Sequence, residues 1–404
     1  MSTKNQLGRK LRMGVAGLGR GLSLMLPTLR FDPRIELVAC ADPREAARDK
    51  FAIEFGARAY ATAEELCDDA AVEVVYVATP HQYHAAHACL AARKGKHLLI
   101  EKPMALSVHE CLAMIAAAKK ARVQLIVGHS HSFDAPIQRA REIIASGAVG
   151  KVRMINAFYY TDFLYRPRRP EELITHEGGG VIFNQASHQI DVVCYLAGGK
   201  AQSVRAMTGA WDPARPTEGA YTATLAFEGG AFATLTYSGY AHFDSDEFCG
   251  WVGEGGQQKD PARHGAARRA LAAATDARVE ARMKSDANYG GDTYQPGGRE
   301  SLHHAHFGEV IVSCDRADLR PVPEGVMIYG DAERRLEKVP LREAPRAEVI
   351  DELYAAIVEG KSPVHSGEWA LATIEVCLAM LRSARTEKDV KLKNQIALES
   401  QITR

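Results

Sequence analysis

No CxxC pair occurs among the eight cysteines, which are scattered along the chain. That excludes a small disulfide-stapled scaffold and fits reduced thiols in a cytoplasm. No apolar run reaches the ~18 residues that a membrane-spanning helix needs. Net charge is also lacking: 50 Lys and Arg stand against 50 Asp and Glu. No global field therefore draws the chain to nucleic acid or an anionic membrane, although a local basic patch stays open. The first ten residues are polar and basic, and a strand follows at once, so there is no room for a signal peptide's apolar region. They are read as a flexible arm. No internal repeat is visible. What remains is a soluble composition, 46% hydrophobic and 25% charged, in 404 residues. That length is too great for one ordinary core and makes two domains the default.

Residues 11–130 alternate strand and helix. Leu11–Ala16, Ile35–Ala41, Val74–Ala78, His97–Ile100 and Val123–Val127 read as buried strands. Helical patterns fill the gaps, among them a stretch to about Arg30, Tyr83–Arg93 and Val108–Ala121. Such βα units predict a doubly wound parallel sheet with helices on both faces. Gly17-Leu18-Gly19-Arg20-Gly21 lies between the first strand and first helix. Glycines there let the backbone approach a pyrophosphate, and the helix N-terminus offers free N–H groups. Asp42 closes the second strand, 23 residues beyond Gly19. Its carboxylate suits the ribose hydroxyls of NAD and would repel the 2′-phosphate of NADP. Arg44 close by softens that preference. Leu22 stands where the third glycine of the fingerprint is usual, which predicts slightly looser helix–strand packing.

Lys102 follows the His97–Ile100 strand and precedes Pro103, which stops it. A strand end in an open α/β sheet faces the ligand crevice. The plain alternative is a surface lysine paired with Glu101. Further along, Val181–Asp191 has helical spacing and puts Asn184, His188 and Asp191 on one face. A satisfied core histidine is the plain reading of that stripe.

Three segments together resemble one family. Thr79-Pro80-His81-Gln82-Tyr83-His84 is similar to its T-P-N-x-x-H turn, with His81 where asparagine is usual. Glu101-Lys102-Pro103 resembles its E-K-P strand end, and Gly178-Gly179-Gly180 with Asn184, His188 and Asp191 resembles its G-G-G…D-x-x-x-H-x-x-D helix. This is the glucose-fructose oxidoreductase / inositol dehydrogenase / MocA family. The resemblance implies a Rossmann domain followed by an α+β domain with a large, mostly antiparallel open sheet. It implies NAD(P)-dependent hydride transfer, with Thr79, Pro80, His84 and Glu101 beside the cofactor. It makes Lys102 the principal acid/base group, with His188 polarising or relaying. Asn184 departs from the family's aspartate and cannot take a proton, so it is expected to orient substrate or cofactor. The resemblance also implies a homodimer or homotetramer through the open sheet.

More narrowly, Gly128–Asp134, Phe158–Pro170 and Asn184–His188 resemble the dihydroxyphthalate (phthalate cis-dihydrodiol) dehydrogenase branch. A substrate of that kind is an anionic ring. Arg166, Arg168 and Arg169 sit among tyrosines, where guanidinium forks can pair with carboxylates; Arg166 and Tyr160 are the choices. His129, His131 and one histidine of the 303–306 group are expected to bond substrate. The His-x-His spacing invites a metal, but no acidic or cysteine partner sits at ligand spacing, and none is expected.

The expected organisation is an arm (1–10), a dinucleotide domain (11–130) and a substrate and oligomerisation domain (131–345). Residues 252–300 read as an insertion, with one helix over about 262–284. Helices follow at about 346–359 and 367–385, then a weakly ordered tail (387–404). The expected activity is NAD-dependent oxidation of a carboxylated cyclic cis-diol. The alternatives are a sugar or polyol dehydrogenase and a non-catalytic dinucleotide-binding regulator.

Overall fold

The computed structural model describes residues 9–296 and 302–398. Most of the expected arm, the Gly297-Gly298 end of the insertion and the last six residues of the tail lie outside them.

Six parallel strands build the first sheet: β1 (Leu11–Ala16), β2 (Ile35–Ala41), β3 (Arg58–Tyr60), β4 (Val74–Val77), β5 (His97–Ile100) and β6 (Leu125–Val127). Their spatial order is β3-β2-β1-β4-β5-β6. The order reverses beside β1, and ligands bind at such a switch point, outside the carboxyl ends of the strands. β1 and β2 match the apolar runs residue for residue. β3 has no such run, because two of its three residues are exposed. Separate apolar clusters cover the two faces, one around Met13, Tyr76 and Phe51, the other around Val75, Leu98 and Met114.

The second sheet has nine strands. They are β7 (Val152–Tyr160), β8 (Ala201–Gly209), β9 (Ala220–Phe227), β10 (Phe232–Ser238), β11 (Glu309–Cys314), β12 (Ala317–Val322), β13 (Gly325–Gly330), β14 (Arg334–Lys338) and β15 (Val390–Lys391). The order is β14-β13-β12-β11-β7-β10-β9-β8-β15, antiparallel except for the β7–β10 pair. Along β7 the residues Ile155, Ala157 and Tyr159 are buried while their neighbours are not. That period of two puts one face on the helices and leaves the other uncovered.

Helix Ala347–Val358 sends Val349, Ile350 and Leu353 into the first domain's core. Gly367–Thr386 is shared: Trp369, Val376 and Met380 pack on the second sheet's core, and Leu371 and Ile374 on the first. The C-terminal helices therefore fasten the two sheets together. The expected weak tail is corrected in part, since β15 pairs with β8 and the Lys393 and Asn394 N–H groups donate to Glu375 at 2.8 Å.

The single helix expected over 262–284 is two, Ala266–Ala272 and Ala277–Asp286. Asp276 breaks them apart, its carboxylate capping the Arg278 and Val279 N–H groups. Among the described residues no helix is long and apolar enough to cross a membrane.

Candidate active site

The glycine loop shapes one wall. Gly17 has φ +94°, and a Cβ there would lie 2.7 Å from the Ala78 carbonyl oxygen. At Gly21 a Cβ would lie 2.8 Å from Glu101 Cγ. The close approach of helix to strand end thus falls on Gly21. The looser packing expected from Leu22 is not found, since Leu22 is fully buried in the core. A Cβ on Gly19, by contrast, would meet nothing within 4 Å. Gly19 caps the helix Arg20–Phe31 without a side-chain bond, so open space lies against the positive end of a helix. That is a cradle fit for a pyrophosphate.

Asp42 is buried, and its Oδ2 accepts from the Leu18 N–H at 2.7 Å. Arg44 donates from Nε to Asp42 Oδ1 at 2.9 Å and from Nη2 to the Leu18 carbonyl at 2.8 Å. Asp42 and Arg44 therefore brace the glycine loop together.

Lys102 stands at the end of β5, and its Nζ donates to the backbone carbonyl of Asn184 at 2.7 Å. Burial lowers its pKa, against the opposing charges of Glu101 and Glu254. Tyr76 donates a short hydrogen bond to Glu101, whose carboxyl is pushed up, chiefly by burial. The surface-lysine alternative fails on this geometry, because Lys102 is bonded to the second domain.

The Val181–Asp191 stripe does not survive as one face. Ile182–Ala186 forms a π-helical turn ahead of the helix Ser187–Ala197. A π-turn adds a residue to the ring and shifts the faces out of register. Asn184 Nδ2 donates to the Gly178 and Gly180 carbonyls at 3.0 and 2.8 Å. Its amide nitrogen is thus engaged by the glycine lead-in, while the residue stays partly exposed. His188 is buried, with Nδ1 3.3 Å from Ser130 Oγ and its ring centroid 4.8 Å from that of His131. Burial, then the charges of Lys102 and His131, hold His188 well below the ordinary histidine range. Asp191 turns away to short bonds from Ser132 and the Trp369 indole.

Several expected contacts fall elsewhere. His84 is fully buried and spans the Pro103 and Thr79 carbonyls at 2.9 and 2.8 Å. It ties the two strand-end loops together. Thr79 Oγ1 meets His87 Nδ1 at 3.2 Å. Pro80 caps the following turn. Tyr160 packs on Phe243, and Phe158 on Phe248, on the uncovered sheet face. Its neighbour Tyr159 is the one beside Phe307, 5.1 Å away, and Phe307 is 4.9 Å from His188. His304 and His306 bond the Val339 and Val252 carbonyls and are occupied there.

Of the three arginines, Arg168 is buried, lies 3.6 Å over the Phe163 ring and donates to the Phe163 carbonyl. Arg169 is held by Glu171 and Glu172. Arg166 keeps its side chain 43% exposed, with Nε 3.2 Å from Asp162 Oδ1.

His129 Nε2 and His131 Nδ1 share the Asp134 carboxylate at 3.1 and 2.6 Å. Burial alone would depress His131, but Asp134 and then Glu254 outweigh it and raise its pKa to about 9. His129 is pushed down to about 3 by burial and the Arg346 charge.

Glu254 was not singled out from the sequence. It comes from the insertion, its Oε1 lies 3.5 Å from His131 Nε2, and its side chain is 33% exposed. His131, Arg166 and Lys102 hold its carboxyl well below the usual range despite burial. Glu280 and Tyr289, further along the insertion, are pinned to both domains. Glu280 accepts from Arg215 at 2.7 Å and from the Arg168 N–H, and Tyr289 is buried against Phe51 with its carbonyl accepting from Arg44.

Comparison with known proteins bears on this arrangement. A family model described as the oxidoreductase family with an NAD-binding Rossmann fold matches residues 11–129, and one for the GFO/IDH/MocA C-terminal domain matches 137–257. The chain is 46% identical over 379 residues to 1-carboxy-3-chloro-3,4-dihydroxycyclohexa-1,5-diene dehydrogenase of Comamonas testosteroni, covering 93% of this chain and 96% of that one. It superposes with TM-score 0.89 and 42% identity on a presumed dehydrogenase from Bordetella bronchiseptica, covering 95% of this chain and all of the other. The WlbA dehydrogenase of Bordetella pertussis, solved with NADH and UDP-GlcNAcA, shares the fold at TM-score 0.67 and 20% identity over 95% of this chain and 99% of that one. With two matching domain models and a full-length relative, the chain belongs to the Gfo/Idh/MocA family of oxidoreductases.

Proposed function

We propose that this oxidoreductase uses NAD to oxidise a cyclic cis-diol bearing a carboxylate, of the phthalate cis-dihydrodiol type. The carrying observation is Lys102, an amine of lowered pKa held at the end of β5 on the Asn184 carbonyl. The nicotinamide, when bound, supplies the hydride acceptor. Gly17, Leu18, Gly19, Arg20 and Gly21 would hold its pyrophosphate, and Asp42 with Arg44 would meet the ribose.

Lys102 takes the proton from the hydroxyl whose carbon is oxidised. Burial disfavours its ammonium and so makes the neutral base form easier to reach. His188 bonds the same oxygen, and its neutral ring is suited to that role because burial and Lys102 keep it uncharged. Arg166 pairs with the ring carboxylate from the mouth of the site. Oxidation gives a hydroxyenone, which tautomerises to an aromatic catechol, so the reaction runs strongly downhill. The relative from Comamonas supports a ring that is both a diol and a carboxylate. The uncovered face of the nine-stranded sheet is the proposed meeting surface of two or four copies, which light scattering tests.

The experiment mixes protein, NAD⁺ and phthalate 4,5-cis-dihydrodiol and follows absorbance at 340 nm. Growth with that substrate, and little with myo-inositol or glucose, supports the proposal. Growth on the neutral polyols alone keeps the family and overturns the substrate.

A further inference from the structure

We propose that His131, His188 and Glu254 form a binding site for one divalent transition-metal ion. Along the chain these residues have no ligand spacing. The fold assembles them from the turn after β6, the helix Ser187–Ala197 and the insertion. One ligand atom from each lies within 4.8 Å of the others. His131 Nε2 and Glu254 Oε1 are 3.5 Å apart, long for a hydrogen bond between charged partners. It is close to the edge of a tetrahedron whose metal–ligand bonds are about 2.0–2.1 Å.

The surroundings are also those of a ligand set. The Asp134 carboxylate can only accept, so His131 Nδ1 must carry the proton of their 2.6 Å bond. Nε2 is then the nitrogen that faces Glu254, and a cation binds there by displacing to solvent the proton of the His131–Glu254 ion pair. A carboxylate behind a metal-ligating histidine fixes its ring and raises its basicity. Glu254 and Asp134 together supply two negative charges to balance a dication. Two imidazoles and one carboxylate select zinc, cobalt or iron over magnesium or calcium. Three protein ligands leave a further position open, and the 33% exposure of Glu254 gives access to it.

The neighbouring group His129, His131 and Asp134 also has its ligand atoms close together. There both histidines already bond the one carboxylate, and all three residues are buried. It is the support of the site and not a second one. A bound ion occupies the His188 ring, so on the proposed function it competes with substrate.

The test titrates Zn²⁺ into EDTA-treated protein by calorimetry, without cofactor or substrate, and repeats it with Co²⁺ by visible absorption. One equivalent per chain is expected. Glu254→Gln and His131→Gln should each weaken Zn²⁺ binding by at least about 100-fold, and Asp134→Asn by about 10–100-fold. Mg²⁺ should give no heat. Substoichiometric Zn²⁺ binding in the wild type, or wild-type affinity in Glu254→Gln, overturns the proposal. Glu254→Gln lies on a partly exposed loop and decides the matter if the His131 variant fails to fold. Because neither NAD⁺ nor a diol is present, failure here leaves the proposed oxidation standing. Failure of the diol assay likewise leaves the metal result standing.

Discussion

The Lys102 ammonium rests on the backbone carbonyl of Asn184, 2.7 Å away, and not on a side chain. The amine that is proposed to move a proton is therefore placed by a peptide group, which never titrates. Replacing Lys102 with Met should lower kcat by about 10²–10⁴-fold. NADH affinity, read by fluorescence, should change little. In the wild type the base form must be present, so kcat/KM for oxidation should rise with pH and level off below the ordinary lysine value of 10.5, because burial lowers this amine. Glu254 opposes that lowering, so Glu254→Gln should move the rising limb to lower pH. A limb that stays put or moves up would refute the assignment of the limb to Lys102.

The Asn184 side chain explains the departure from the family's aspartate. Its amide gives two hydrogens to two carbonyls, Gly178 and Gly180. A carboxylate in that place has none to give and faces both oxygens. Asn184→Asp should cost about 1–3 kcal/mol of stability at neutral pH. The new carboxyl would have a raised pKa in the folded state. Its neutral form is tolerated, so the loss should shrink as the pH falls toward acid. Urea unfolding at pH 7 and pH 5 checks this, and equal losses at both would count against it.

Much of the first domain was legible because parallel strands are buried on both faces and read as unbroken apolar runs. Leu11–Ala16 and Ile35–Ala41 needed nothing more. Arg58–Tyr60 is short and mostly exposed, so no such run marks it. Lys102 and His188 were legible as polar residues in apolar surroundings. Two features were not. The π-turn at Ile182–Ala186 changes the helix period without any proline or glycine inside it, and that shifts Asn184 out of line with His188 and Asp191, which share the regular helix after it. Glu254 reaches His131 from 123 positions away through a glycine-rich stretch that reads as loop. Asp134 stood in the motif that carried the resemblance, yet its pairing with two histidines depends on the turn at His131–Phe133.

His131 predicts a pH dependence of stability. Its folded pKa, about 9, lies above the ordinary 6.5, with Asp134 and Glu254 outweighing burial. The protonated form is thus favoured by folding. That contribution is complete below pH 6.5 and is lost as the pH rises through about 9. It amounts to about 3 kcal/mol, counted once from the histidine side of the coupled group. Unfolding free energies of EDTA-treated protein at pH 6.5 and 9.5 measure it. Asp134→Asn should be less stable at pH 6.5 and should show a much shallower decline. Parallel curves for the two proteins would refute the role given to Asp134.

Asp42 predicts the cofactor preference. Its buried carboxylate accepts from the Leu18 N–H and is paired with Arg44, so one residue shapes the loop and, on the proposed function, meets the ribose with negative charge. A 2′-phosphate would meet that carboxylate as a like charge, and Arg44 is already committed to it. NADP should therefore be the poorer cofactor in kcat/KM. Asp42→Ser keeps an acceptor for the Leu18 N–H while removing the charge, and it leaves Arg44 available for a phosphate. The NAD to NADP ratio should fall by about 10–100-fold, about 1.4–2.8 kcal/mol of discrimination. Asp42→Ala should weaken both cofactors, since the loop then loses the acceptor as well. If Asp42→Ser lowered both cofactors equally, the carboxylate would be bracing the loop without reading the ribose.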